Sequence, residues 1–185
     1  MSSVEAANEV RGAAVGRLAV PPGVVAVVSI ALAAGAFIKF EDLDRALVAA
    51  AFCAVLPVVA AVDLERRIIP NRIVVPAGLL VLLGDIAAEP GRAAEWTIAA
   101  FATLAGGVLL SLAARGGIGL GDAKLGFLLG AGLGWTVVGG LVLASIGLFV
   151  AALVTLAARG LGARKDALPF GPFLALGAIV MLFLS

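Results

Sequence analysis

Asp63 and Asp122 are the side chains of this 185-residue chain best suited to chemistry. Asp63 ends an apolar run at Val62-Asp63. Asp122 opens another, directly after the stretch Gly116-Gly117-Ile118-Gly119-Leu120-Gly121. A carboxylate at the mouth of a membrane helix is costly and is therefore a functional candidate by default. Two carboxylates at one membrane depth suit general acid–base hydrolysis: one, ionised, takes a proton from water, while the other, protonated, polarises a scissile carbonyl. Like charges a few ångströms apart cannot both ionise, so such a pair is expected to share one proton. The glycines ahead of Asp122 permit backbone angles closed to other residues and leave space for an extended substrate strand. Lys124 is expected near the membrane interface, where it holds Asp122 ionised, contacts a substrate carbonyl, or simply snorkels to the headgroups. Taken alone, Asp63 followed by Glu65, Arg66 and Arg67 reads as an ordinary juxtamembrane charge cluster; Asp122 gives it its interest.

The rest of the composition narrows the chemistry. The chain has no histidine, which removes Ser-His-Asp triads and His-based metal sites. The single cysteine, Cys53, lies inside an apolar run, so neither a disulfide framework nor a cysteine zinc cluster forms within one chain. No metal or cofactor is expected. A net charge of +1 gives no case for nucleic acid.

The elements that must position the two acids are membrane helices. The chain is 63% hydrophobic, against roughly 45–50% in ordinary soluble domains, and its mean hydropathy is +1.19. So much apolar surface requires lipid as its solvent. The expected fold is an all-α, polytopic transmembrane helix bundle of about six or seven spans, at 23–40, 45–62, 73–88, 96–114, 122–138, 141–158 and 168–184. Pro21-Pro22-Gly23 opens the first span. Pro57 falls inside the second, Pro70-Asn71 separates the second from the third, and Glu89-Pro90-Gly91 the third from the fourth. Gly139-Gly140 is the expected turn between the fifth and sixth, with an earlier break near Gly134-Trp135 as the alternative. Residues 1–22 read as a short cytoplasmic tail and 23–185 as one membrane domain. Asp85 and Glu89 read as helix-end and loop charges, and Asp166 as part of a solvated loop.

Basic residues set the orientation. With the N-terminus inside, ten of the thirteen lysines and arginines fall on the inner side, and only Lys39, Arg45 and Arg92 on the outer. The same topology carries Asp63 and Asp122 to the cytoplasmic face. Gly126, Gly130 and Gly134 follow Asp122 at intervals of four, one stripe of a helix that lets a neighbour approach closely in lipid. Asp122 is thus expected to point into the bundle. Pro169-Phe170-Gly171-Pro172 disfavours regular helix at the head of the last span and leaves backbone groups to be covered by protein or water, a position from which it can face the acids.

In their order, Asp63-Leu64-Glu65-Arg66-Arg67-Ile68-Ile69-Pro70-Asn71, Gly119-Leu120-Gly121-Asp122-Ala123-Lys124 and Leu168-Pro169-Phe170-Gly171-Pro172-Phe173 resemble the type IV prepilin peptidases, aspartic leader peptidases of the GxGD class. The resemblance runs from about Val62 to Ser185. It implies that Asp63 and Asp122 are the catalytic pair, with Gly119, Gly121, Lys124, Pro70, Asn71, Pro169, Gly171 and Pro172 supporting them or positioning substrate. It implies a prokaryotic inner-membrane enzyme that cuts the short basic leader of a prepilin or pseudopilin at the cytoplasmic face. Longer members carry a cytoplasmic insert with paired Cys-x-x-Cys motifs, linked to zinc and to N-methylation. With Cys53 alone, this chain resembles the short, peptidase-only forms, and methyl transfer is not assigned. Two other readings are a small proton-coupled transporter, against which both acids lie at one face with no inverted repeat, and a non-catalytic secretion or pilus assembly protein.

Overall fold

The computed structural model describes residues 20–113, 119–159 and 168–185. They form seven α-helices: α1 (Pro22–Lys39), α2 (Leu43–Arg66), α3 (Asn71–Ala88), α4 (Ala93–Ala113), α5 (Leu120–Leu133), α6 (Val137–Arg159) and α7 (Gly171–Leu184). Short 3-10 turns at Pro90–Arg92 and Gly134–Thr136 lead into α4 and α6. Each expected span has one helix as its core, in the expected order, and the fifth, 122–138, runs past the end of α5 through the Gly134–Thr136 turn into α6. Five stretches are long and apolar enough to cross a membrane, the last of them, Leu120–Ala158, combining α5 and α6; α7 is apolar but shorter, at 14 residues. The protein is a polytopic helical bundle. The tail before Val20, the glycines Gly116 and Gly117, and Asp166 lie outside the described residues.

Local chemistry sets the helix ends. Proline occupies the first turn of α1 and of α7, where no intrahelical donor is missed. Pro70 precedes the first residue of α3. Pro57 and Pro76 sit inside α2 and α3, which continue through them; helices in lipid tolerate this when neighbours cover the freed carbonyl. Arg67 ends α2 in the left-handed conformation, φ 52°, and its N–H donates to the Asp63 carbonyl at 2.8 Å. A non-glycine residue held there is strained, and this one lies four residues past Asp63.

The long apolar stretch from Leu120 must break. Its 39 residues would span about 60 Å as one helix, roughly twice a hydrocarbon core. The break falls at Gly134, the one glycine of positive φ (55°) among the described residues, so the earlier of the two expected breaks holds. Gly139-Gly140 is not a turn. Both residues lie inside α6, where the absence of side chains lets α7 approach: a Cβ on Gly139 would stand 2.7 Å from Met181 Cε, and Gly140 packs on the Gly177 backbone. A glycine pair serves a turn or a helix crossing equally well, and the crossing wins here.

α5 is the central helix. Nine of its 14 residues are buried, and it packs on α3, α4 and, more lightly, α7. Its glycine stripe faces α4, where Glu95, Ala99 and Thr103 recur at the same interval of four. Thr103 Oγ1 sits 2.8 Å from the Gly126 carbonyl oxygen, within donating distance across the pair. On Gly130 a Cβ would come within 2.5 Å of the Ala99 carbonyl oxygen, a backbone atom that cannot swing away. Gly130→Ala is therefore expected to destabilise the bundle by about 1–3 kcal/mol, read as a lowered thermal unfolding midpoint in detergent. Gly106→Ala, where a Cβ meets nothing within 4 Å, should leave the midpoint unchanged or slightly raised. Equal midpoints for the two variants would remove the close-packing account.

Candidate active site

At one end of the bundle the tail of α2, the heads of α3, α5 and α7, and the flanks of α4 and α6 surround a cavity of about 790 Å³. α2 and α5 barely touch each other, while α3 and α7 each pack against both. The two acid-bearing helices are thus held apart by intermediaries, and the gap between them is the cavity. Asp63 enters it from the last turn of α2 and Asp122 from the first turn of α5. Both carboxylates thus belong to the wall of one cavity.

Each acid is fixed through a single oxygen. Asp63 is buried, and its Oδ2 accepts the Gly171 N–H at 2.9 Å. That N–H belongs to the first residue of α7, one of the donors a helix start leaves without an intrahelical partner, and a carboxylate is favoured there by the helix dipole. The contact crosses 108 residues of sequence. Meanwhile the Asp63 carbonyl holds the N–H of strained Arg67. One residue thereby closes α2 with its backbone and opens α7 with its side chain. Asp122 stands three residues into its own helix start. Its Oδ2 reaches back to the Gly119 N–H at 3.3 Å, and its N–H donates to the Gly119 carbonyl at 3.0 Å, the reciprocal arrangement of a capping box with backbone in place of the usual serine hydroxyl. Among the described residues neither Oδ1 has a hydrogen-bond partner, which leaves one oxygen of each acid available to a third group in the cavity.

The glycines of the Gly-x-Gly-Asp stretch act by closeness. Gly119 has φ −75°, an ordinary value, so the expected need for unusual backbone angles is not met there. At Gly121 a Cβ would lie 2.9 Å from Ile69 Cβ. The bare residue allows the link between α2 and α3 to press against the head of α5. Gly107 of α4 performs the same service on the other side, where a Cβ would come 2.7 Å from Ala123 Cα. Lys124 pairs with neither acid. Its Nζ donates to Asn71 Oδ1 at 3.0 Å, tying α5 to α3 at the rim of the cavity.

Asp63, Asp122, Gly119, Gly121, Lys124, Asn71 and Pro169 all line this cavity, and Gly171 meets it through Asp63. Pro70 and Pro172 do not line it; they sit at the starts of α3 and α7. The residues named from the sequence as supporting the site leave out Ile69 and Phe170, though both lie in the quoted motifs, and, from α6, Ser145 and Leu148. The first two stand beside residues that were named, so adjacency was the available signal. The α6 residues sit in an apolar run like any other span and carry no signal.

A family model described as the type IV leader peptidase family matches residues 50–184. Two curated relatives named prepilin leader peptidase/N-methyltransferase, from Burkholderia pseudomallei strains 1026b and K96243, are each 38% identical over 158 residues, covering 83% of this chain and 51% of the relative. The chain spans about half the length of the curated relatives it matches. No solved structure gives a significant match.

Proposed function

The chain belongs to the type IV leader peptidase family, and we propose that it is a membrane-embedded aspartic endopeptidase that removes the short basic leader of prepilin or pseudopilin substrates. The observation that carries this reading is that Asp63 and Asp122, from helices that hardly touch, line one cavity of about 790 Å³. One carboxylate takes a proton from a water molecule held between the two free Oδ1 atoms. The water oxygen attacks the scissile carbonyl carbon as the other acid gives its proton to the carbonyl oxygen. Collapse of the tetrahedral intermediate breaks the C–N bond. The amine leaves with the proton first taken from water, and the acids return to their starting state.

The cleavage face is the cytoplasmic one. Along the sequence, ten of the thirteen lysines and arginines fall on the acid-pair side of the spans, and only Lys39, Arg45 and Arg92 on the other. That asymmetry follows the positive-inside rule. In this reading the protein sits in a prokaryotic plasma membrane with its N-terminal tail inside and one peptidase domain over 23–185. A substrate with a basic leader ahead of an apolar helix would lie along the same axis, its leader in the cytoplasm and its helix in lipid. We assign the peptidase reaction alone, without metal or cofactor.

The test is cleavage of a prepilin-like protein by this chain purified into liposomes. The expected result is a single cut between the basic leader and the apolar segment, at a rate unchanged by EDTA. Flux of a small solute without any cleavage would replace the protease reading with a carrier.

A further inference from the structure

A groove of about 280 Å³ joins the acid-pair cavity. Leu110, Asp122 and Phe170 line both, so a chain whose peptide bond lies at Asp122 can run on from one into the other. From that junction the groove follows one face of α4, past Gly106 and Thr103 to Ala99, with Leu141 of α6 and Leu174 of α7 among its other walls. Leu110 and Ala99 stand about 16 Å apart along α4, at 1.5 Å of rise per residue. The groove thus leads from the acid end across about half of a hydrocarbon core.

The gap follows from how the helices pack. Among the described residues α4 packs on α3 and α5, α6 packs chiefly on α7, and α4 has no more than slight contact with α6 or α7. The rim faces lipid: Leu110 is 59% exposed and Val138 58%. Of the described residues that line the groove, only Asp122 is charged, and the Thr103 hydroxyl is engaged by the carbonyls of Ala99 and Gly126. An occupant that fits is therefore apolar along its length and polar where it reaches Asp122. Gly106 lies in the middle of the α4 face, and a Cβ there would meet nothing within 4 Å, whereas Gly107 and Gly130 are bare because a helix presses on them. Gly106 faces room that the described chain does not use.

We propose that this groove seats the apolar segment that follows the scissile bond, about its first three turns, entering sideways from the bilayer, and that Gly106 sets how bulky the side chains facing it can be. The inference rests on the peptidase reading and adds where the apolar part of the substrate lies. Direction selects the occupant. With the scissile bond at Asp122 the basic leader extends toward water, and the groove leads the other way, into the membrane, where only the apolar segment goes. A lipid acyl chain matches the walls, but nothing in it answers the carboxylate at the end.

Gly106→Leu tests the proposal, because its side chain enters open space and should fill the groove while the thermal midpoint stays at the parent value. Against a prepilin-like protein KM should rise about tenfold or more with kcat near the parent value, the pattern of an overpacked contact that weakens ground and transition states alike. A synthetic peptide ending a few residues past the scissile bond does not reach Gly106, so parent and variant should cut it alike and far more weakly than the whole protein. Leu109→Phe adds bulk to α4 outside the groove, at a residue 66% exposed, and should leave cleavage unchanged. Val138→Cys should form disulfides with cysteines placed singly along the apolar segment of the substrate, at every third or fourth position; Cys53, fully buried, does not compete. An unchanged KM in Gly106→Leu, or cross-links that are absent or follow no helical period, would give the groove to lipid and leave the peptidase reading intact. A loss as large on the short peptide as on the protein would place the effect at the acids and overturn the groove. If the parent cuts neither substrate, the peptidase reading fails and the groove assignment falls with it.

Discussion

Asp63→Ala and Asp122→Ala are each expected to lower the rate of prepilin cleavage by at least about a hundredfold at equal protein level, since a positioned acid or base contributes roughly 10²–10⁴ to a proton-transfer step. The two losses should not add. If the acids divide one proton, removing either disables the pair, and the double variant should be little worse than the worse single one. The asparagine variants separate chemistry from folding. In Asp63→Asn the amide oxygen still accepts the Gly171 N–H now received by Oδ2, so α2 and α7 keep their junction. In Asp122→Asn the helix start retains its acceptor for Gly119. Both should keep the parent unfolding midpoint and bind substrate in a pull-down, yet fail to cut it. Full cleavage by either alanine variant would leave the proposed reaction without its acid–base machinery. Lost binding with residual turnover in Asp122→Asn would move that residue from the reaction to substrate recognition.

How far the sequence alone could see depended on how local the cause was. The helices were legible because lipid acts on every residue of a span at once, and proline with polar punctuation marks the ends. That Asp63 and Asp122 share one end was legible because it needs only the parity of the crossings between them. Long-range partners were legible only in outline, through the expectation that Pro169-Phe170-Gly171-Pro172 faces the acids. Nothing near Asp63 announces that its carboxylate receives the N–H of Gly171, or that Lys124 turns from Asp122 to Asn71. The glycines divide along the same line. The four-residue stripe on α5 predicted a close neighbour, but only the fold shows that neighbour to be α4. Gly139-Gly140 has the composition of a turn and is a crossing point, because Gly177 on α7 arrives opposite it. Asp85 shows the same limit: its place at the end of α3 was legible, but its burial there was not.

Gly171→Ala tests whether the position of Asp63 matters as well as its presence. A Cβ at residue 171 would lie 2.7 Å from Asp63 Oδ2 and 3.1 Å from both its Cβ and Cγ. The carboxylate cannot retreat cheaply, because Asp63 is buried and its backbone is held in the last turn of α2 by the bond to Arg67. Either the side chain rotates away from the Gly171 N–H or α7 backs off, and both move the acid relative to Asp122. A misplacement of about 1 Å in a catalytic group costs about a hundredfold, so the variant is expected to lose that much in kcat with KM close to the parent value. Its thermal midpoint should drop as well, by the equivalent of about 1–3 kcal/mol for an overpacked site, so its rate is compared with the parent's at a temperature where both are folded. Gly119→Ala supplies the contrast. Its φ is ordinary and the nearest atom to a new Cβ is Asp122 Oδ2 at 3.7 Å, an ordinary contact, so it should cut substrate within a few-fold of the parent although it lies in the same motif as Asp122. If Gly171→Ala cuts at the parental rate, Asp63 does not need its place at the head of α7. If Gly119→Ala proves the more damaging of the two, that glycine serves the substrate by some means other than the room it leaves around Asp122.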